Sequence, residues 1–132
     1  MIIRTLDEIM GSKRAIKSEN WVSRRLLLRE DEMGFSLHDT LVLAGTETKI
    51  WYKHHLEGVY CIEGSGEIVA LDEAGKTYPI RVGTLYALDK HDKHILRAHT
   101  DMRLISVFNP ALVGNETHDE DGSYRLNPSD KE

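Results

Sequence analysis

One cysteine, Cys61, stands in 132 residues. No disulfide can form within the chain, and such cysteine usage suits a reducing compartment, so the cytoplasm is the expected location. No apolar run approaches the ~20 residues that a membrane-spanning helix needs. The first residues, MIIRTLDEIMGSKR, bring acids early and lack a long apolar stretch, unlike a secretory leader. Basic side chains are in deficit: 17 Lys and Arg face 22 Asp and Glu, for a net charge of −5. The nearest approach to a basic patch is the pair Arg24-Arg25. Neither a membrane nor nucleic acid is therefore an expected partner, and the acidic balance serves solubility.

What is present is a run of short, alternating segments. No repeat or low-complexity block divides the chain, and its length suits one domain over 1–132. Residues 4 to 10 allow a helical turn or two. From Trp21 onward the pattern predicts strands over Trp21–Glu30, Phe35–Leu43, Thr48–Leu56, Val59–Glu63, Glu67–Leu71, Thr77–Ile80, Leu85–Leu88, His94–Ala98 and Leu104–Phe108. Gly45, Gly64-Ser65-Gly66, Asp72 to Gly75, Gly83 and His99 to Asp101 punctuate them. Many short strands with glycine-rich turns indicate an all-β barrel or jelly roll with little helix. The segment from Asn109 to Tyr124 is placed as a fold-back cover over a barrel mouth. Residues 125–132 are expected to fray.

The spacing from Gly45 to Gly64 resembles the first metal motif of cupin barrels. Trp51 and Lys53 fill the two usual histidine slots, and Glu57 fills the glutamate slot. The second motif runs from Gly75 through Gly83 to Tyr86, which stands in its histidine slot. His94 follows in HDKHIL, and a turn over Asp89 to Lys93 would bring Tyr86 and His94 side by side. Glu57, Tyr86 and His94 then form a ligand set of two oxygens and one nitrogen. Such a hard, mixed set suits iron or another divalent first-row metal. Taken singly, each has a plainer role: Tyr86 as a core aromatic, His94 as a rim histidine, Glu57 as an exposed charge. Their shared register favours the metal reading. His54 and His55 look like a ligand pair, but neighbours in a strand face opposite ways. With His91, placed in a turn, they are read as surface, rim or second-shell residues.

The blocks W-x-S-x-R from Trp21 to Arg25, MGFSLHDT, GTETKIWYKHHLEGVYCIEG, LYALDKHDKHILRA and VFNPALVGNETHDEDGSY resemble the ectoine synthases, a cupin family. The resemblance covers nearly the whole chain. It implies a hydro-lyase that cyclises N-gamma-acetyl-L-2,4-diaminobutyrate to ectoine, a compatible solute made under osmotic stress. It implies iron, Fe(2+), on Glu57, Tyr86 and His94, and a homodimer. The family's substrate pocket maps onto Trp21, Ser23, Arg25, Thr40, Tyr52, Phe108 and Glu116, with His38 a weaker candidate. One position departs from the family: Ser106 stands where a cysteine is usual. Serine holds its proton more tightly than a thiol, so a role that needs a thiolate is put in doubt, while a hydrogen-bonding role in the substrate pocket survives.

For the implied reaction, Tyr52 and Glu116 are the candidates for acid and base work. Arg25 would clamp a substrate carboxylate, and Trp21 and Phe108 would wall the pocket against water, Trp21 at the reacting centre. Two other functions fit the same residues. One is a related cyclase or hydrolase acting on another acetylated diamino acid. The other is a non-catalytic cupin that binds a small zwitterion.

Overall fold

The computed structural model of the protein describes residues 1–125. Most of the predicted fraying end, 125–132, therefore lies outside the described residues. A short helix α1 (Leu6–Met10) starts where the Thr5 side chain accepts from the Glu8 amide at 3.3 Å, a polar N-cap. It is followed by β1 (Ala15–Lys17), β2 (Trp21–Leu27), β3 (Ser36–Val42), β4 (Glu47–Ile50), β5 (Leu56–Glu63), β6 (Gly66–Ala70), β7 (Lys76–Ile80), β8 (Leu85–Leu88), β9 (His94–Ala98) and β10 (Met102–Asn109). These strands form a six-stranded sheet, in the order β1-β2-β3-β10-β5-β8, and a four-stranded sheet, β4-β9-β6-β7. Every pairing is antiparallel.

The inward residues of both sheets join in one cluster that includes Val42, Ile50, Val59, Ile68, Leu96, Met102 and Leu104. That is the product of two sheets packed face to face, and it makes a cupin-type jelly roll. The alternation behind it is clearest in β10, where Met102, Leu104, Ser106 and Phe108 are buried and the residues between them are not.

Three expectations about strands change. The first predicted strand stops at Leu27, because Asp31 turns the chain back. Its carboxylate accepts from the Leu28 amide at 2.9 Å and its own amide donates to Leu28 O at 3.0 Å. The strand predicted over Thr48–Leu56 breaks after Ile50. The Trp51 amide donates to Gly122 O at 3.0 Å and the Lys53 amide to Ser123 Oγ at 3.1 Å, so neither is free for a neighbouring strand. The third change is β1, a strand that the sequence pattern does not signal.

After β10 the chain turns at a cis Asn109–Pro110 bond and runs back across the barrel as an irregular strap, residues 110–125. The strap is fastened by specific bonds. Ser36 Oγ accepts from the Leu112 amide at 3.0 Å, and the Arg29 amide donates to Leu112 O at 2.8 Å. Lys53 Nζ meets Asp121 at 2.6 Å. Gly122 has φ of 73°, and a Cβ there would fall on the Lys49 carbonyl, so glycine is what lets the strap approach β4.

Candidate active site

A cavity of about 480 Å³, mouth included, lies between the sheets and under the strap. Strand register sets its lining in rows. Ser23 pairs with Thr40, Thr40 with Leu104, His38 with Ser106, and Phe108 with Glu57, and all of these line the cavity. Trp21 joins from β2, Tyr52 from the irregular stretch before β5, and Tyr86 from β8. The structure thus brings together Trp21, Ser23, Thr40, Tyr52, Ser106 and Phe108 with Glu57 and Tyr86.

Arg25 and Glu116 are not brought into this cavity's lining. Arg25 is fully buried and commits its guanidinium to the protein. Nε donates to Ser23 Oγ at 3.1 Å, Nη1 to Gly114 O at 3.0 Å and Nη2 to Glu116 O at 2.7 Å. The Glu116 carboxylate accepts from the amides of Val113 and Gly114, both at 2.8 Å, and lies 3.8 Å from Arg25 Nη1. These two residues tie the strap to β2. Arg24 faces the other way and pairs with Asp39 at 2.6 Å, as strand alternation requires.

Of the remaining candidates, His38 lines the cavity with both ring nitrogens in use. Nδ1 lies 3.2 Å from Ser23 Oγ and Nε2 3.1 Å from Ser36 Oγ. Burial holds it neutral, well below the usual histidine range. Of the three places expected for His55, the structure leaves the layer behind the site: it has 0% exposure among the rings of Phe108 and Tyr124, and burial brings its pKa down to about 4. His91 does sit in a turn, where its Nδ1 donates to the Tyr52 carbonyl at 2.8 Å.

The proposed metal ligands fit a cation by the state of their atoms. His94 has 1% exposure, and its Nδ1 donates to Asp92 O at 3.0 Å. That fixes the ring with Nε2 bare, and Nε2 is buried without a partner among the described residues. A histidine whose far nitrogen is held by a carbonyl is the usual outfit of a metal ligand. Glu57 is half-buried, and the loss of solvent around its carboxyl pushes it up to about 8 despite a hydrogen bond donated by Ser106. Among the described residues no basic side chain pairs with it. Burial also raises Tyr86, and the neighbouring Glu57 adds to that. A cation would relieve all three at once. The Tyr86 and His94 rings are 6.4 Å apart in a T-shaped contact. His94 opens onto a neighbouring cleft between β6, β7 and β8, which Tyr86 also lines.

Two lining residues, His118 and Tyr124, escaped the reading of the sequence. Tyr124 stacks on Tyr52 at 4.9 Å, with Arg25 5.7 Å from its ring. His118 Nε2 lies 2.7 Å from the Tyr52 hydroxyl. Both come from the strap, in a stretch where polar residues hide any periodic signal. The one available hint was the aromatic of GSY closing an otherwise acidic run.

A cupin jelly roll with a small polar-and-aromatic pocket beside one buried histidine and two half-buried oxygen donors defines a small-molecule enzyme of the cupin class. Comparison with known proteins narrows this. The sequence profile of the ectoine synthases matches residues 1–128. The L-ectoine synthase of Desulfatibacillum aliphaticivorans is 60% identical over 126 residues, covering 94% of this chain and 96% of that protein. That of Halalkalibacterium halodurans is 56% identical over 126 residues, covering 96% and 97%. The crystal structure of the ectoine synthase from P. lautus superposes with a TM-score of 0.86 at 57% identity, over 97% of this chain and 92% of that one. The chain belongs to the ectoine synthase family.

Proposed function

We propose that the protein is an iron-dependent L-ectoine synthase working as one cupin domain. Its reaction closes N-gamma-acetyl-L-2,4-diaminobutyrate to L-ectoine and releases water, within compatible-solute biosynthesis in the cytoplasm. Family membership over residues 1–128 supports the activity. The observation that carries the site assignment is the bare, buried Nε2 of His94 near the cavity that Glu57 and Tyr86 line. Among the described residues no helix is long and apolar enough to cross a membrane.

Glu57, Tyr86 and His94 would hold iron(II). What the bound ion supplies is positive charge to polarise the acetyl carbonyl. The chain's own residues supply the rest. The cyclisation joins an amine and an amide of one molecule, so the barrel must hold the substrate folded with the α-amino nitrogen against the acetyl carbon. The hydroxyls of Ser23 and Thr40 face the cavity as hydrogen-bonding groups for the substrate's polar end. Trp21 and Phe108 form its apolar walls, and excluding water favours a dehydration. The Tyr52 hydroxyl is the proton-handling group on this wall. Arg25 and Glu116 act at one remove, by keeping the strap in place. Ser106, in the place of the usual cysteine, acts through the hydrogen bond it donates to Glu57.

A homodimer accompanies this reading. In support, β8 is an edge of the six-stranded sheet, and Leu85 on it and Val82 before it are 68% and 62% exposed. Light scattering after gel filtration tests the dimer. The activity is tested with purified, iron(II)-loaded protein and N-gamma-acetyl-diaminobutyrate, followed by chromatography of the product, beside a panel of other acetylated diamino acids. Ectoine formation with bound iron near one per chain is the expected result. An unchanged substrate with iron in place would sink the proposal.

A further inference from the structure

Two cavities meet at His118. One side of its ring faces the barrel interior, and the other lines a polar cleft with Asn115, Glu116, Thr117, Asp119 and Arg125. The ring is boxed by aromatics: Trp21 at 5.2 Å, Tyr124 at 5.0 Å and Tyr52 at 5.5 Å between centroids. Its Nε2 is 2.7 Å from the Tyr52 hydroxyl, a short contact for two neutral groups. Tyr52 and Tyr124 also share a hydrogen bond, so the phenol is held from two sides. The charged and titratable groups that bear on the imidazole are Asp119, Arg25 and His94. Burial outweighs the pull of Asp119 and brings it to about 4, so the resting ring is neutral. In the tautomer that carries its proton on Nδ1, neutral Nε2 accepts and the Tyr52 hydroxyl donates to it.

We infer that His118 is the proton-holding partner of Tyr52 in the cyclisation, and does more than latch the strap; this rests on the ectoine synthase reading. The proton balance shows why such a partner is useful. The substrate enters with an α-ammonium and an amide, and the product leaves as a cyclic amidinium and water, with no net proton gained or lost. The nitrogen must nevertheless shed a proton before its lone pair can attack. As the ammonium N–H breaks, its proton passes to the Tyr52 oxygen, while the Tyr52 proton passes to His118 Nε2. The new C–N bond forms as the carbonyl π bond breaks, leaving a tetrahedral carbon. The stored proton then returns through Tyr52 to the departing oxygen. A second proton, from the attacking nitrogen, completes the water as the C–O bond breaks. Burial disfavours the charged ring, so His118 holds the proton only for the life of the tetrahedral carbon, with Asp119 favouring the charge meanwhile, and a phenol alone would have to carry the charge itself.

The test compares wild type with His118→Gln, both loaded with iron(II). Glutamine can still accept the Tyr52 hydrogen bond but cannot take up a proton. The expected result is a fall in kcat of ~100-fold or more with KM within about threefold. Adding Tyr52→Phe to His118→Gln should cost little beyond the larger single effect, because the pair acts as a unit. A His118→Gln enzyme with kcat within about threefold of wild type would reduce His118 to a latch and overturn the inference. Should the glutamine variant not fold, single turnover of wild type in H2O–D2O mixtures decides. A curved dependence on deuterium fraction reports two or more protons in flight and supports the relay, and a linear or flat one overturns it. Wild type without turnover removes the proposed activity and this inference together, whereas active wild type with an active His118→Gln removes the inference alone.

Discussion

The pocket has two kinds of wall. The barrel wall is built by register: β2, β3, β10 and β5 lie side by side, and alternation points Ser23, Thr40, Ser106 and Glu57 inward with no further instruction. The strap wall has no such ladder. His118 and Tyr124 reach the cavity because individual side chains fasten the strap. These are Arg25 to two carbonyls, Glu116 to two amides, Ser36 to the Leu112 amide and Ser123 to the Lys53 amide. A ladder spreads its stabilisation over many interchangeable bonds. A strap concentrates it in a few side chains, so single substitutions there cost both shape and stability, while substitutions on the barrel wall cost chemistry alone.

Glu57→Ala should separate the two most sharply. Turnover is expected to fall by at least ~100-fold and iron to be lost from the purified protein, with the circular dichroism spectrum unchanged. Removing a half-buried carboxyl that lacks a basic partner should leave the metal-free protein as stable as wild type or more so. A large loss of melting temperature in that variant would break the comparison from the barrel side. Arg25→Met probes the strap side. It strips donors from two strap carbonyls and removes the charge facing buried Glu116, so a loss of ~3 kcal/mol in urea unfolding is expected, with activity reduced in step. Stability near wild type would mean that the strap is held by packing instead.

A smaller effect concerns pH. Asp31 is held well below the usual carboxylate range, first by the hydrogen bonds from Arg4 and then, against burial, by Leu28 and Arg14. Asp39 is also lowered: burial opposes it, but Arg103 and Arg24 outweigh burial. Folded values below unfolded ones add stability that is full above the ordinary carboxylate pKa of ~4 and is lost as pH falls through the folded values. Urea titrations at pH 7 and pH 3 should therefore show less stability at pH 3. Asp31→Asn should narrow that difference by lowering stability at pH 7. Both carboxylates serve the barrel and its N-terminal brace, so iron-loaded turnover at pH 7 should hardly change in this variant. The smallest effect is expected from Ser106→Cys. The hydroxyl donates to Glu57 and a thiol donates more weakly, so kcat/KM should stay within about threefold of wild type. A much larger gain would show that the reaction needs a thiol at this position.

The same division explains what the sequence disclosed. Strand alternation and glycine-rich turns made the sheets legible, and cupin spacing picked out Glu57 and Tyr86, which share the cavity. His54 and His55 read alike in the sequence; they lie between β4 and β5, outside any strand, and the burial of His55 depends on Tyr124, far along the chain. Arg25 reads as a substrate clamp because its fork matches a carboxylate. Its donors are taken by carbonyls of Gly114 and Glu116, which nothing in the local pattern of β2 announces. The broken strand after Ile50 has the same cause, since the amides of Trp51 and Lys53 are claimed by Gly122 and Ser123. Every one of these misses traces to the strap, where long-range side-chain bonds replace period.

The strap also sets an order of events in synthesis. A ribosome releases the chain from its N-terminus, and folding units form as they emerge. Among the described residues the last strand, β10, completes the six-stranded sheet at Asn109, after β9 has completed the other, whereas the last residue to line the pocket is Tyr124. A nascent chain can thus close its barrel while the cavity still lies open to water and to any passing ion or thiol. Glu57 would be within reach of the medium during that interval and covered after it, so under the proposed iron reading the metal's natural moment of entry on this side is before the strap comes down.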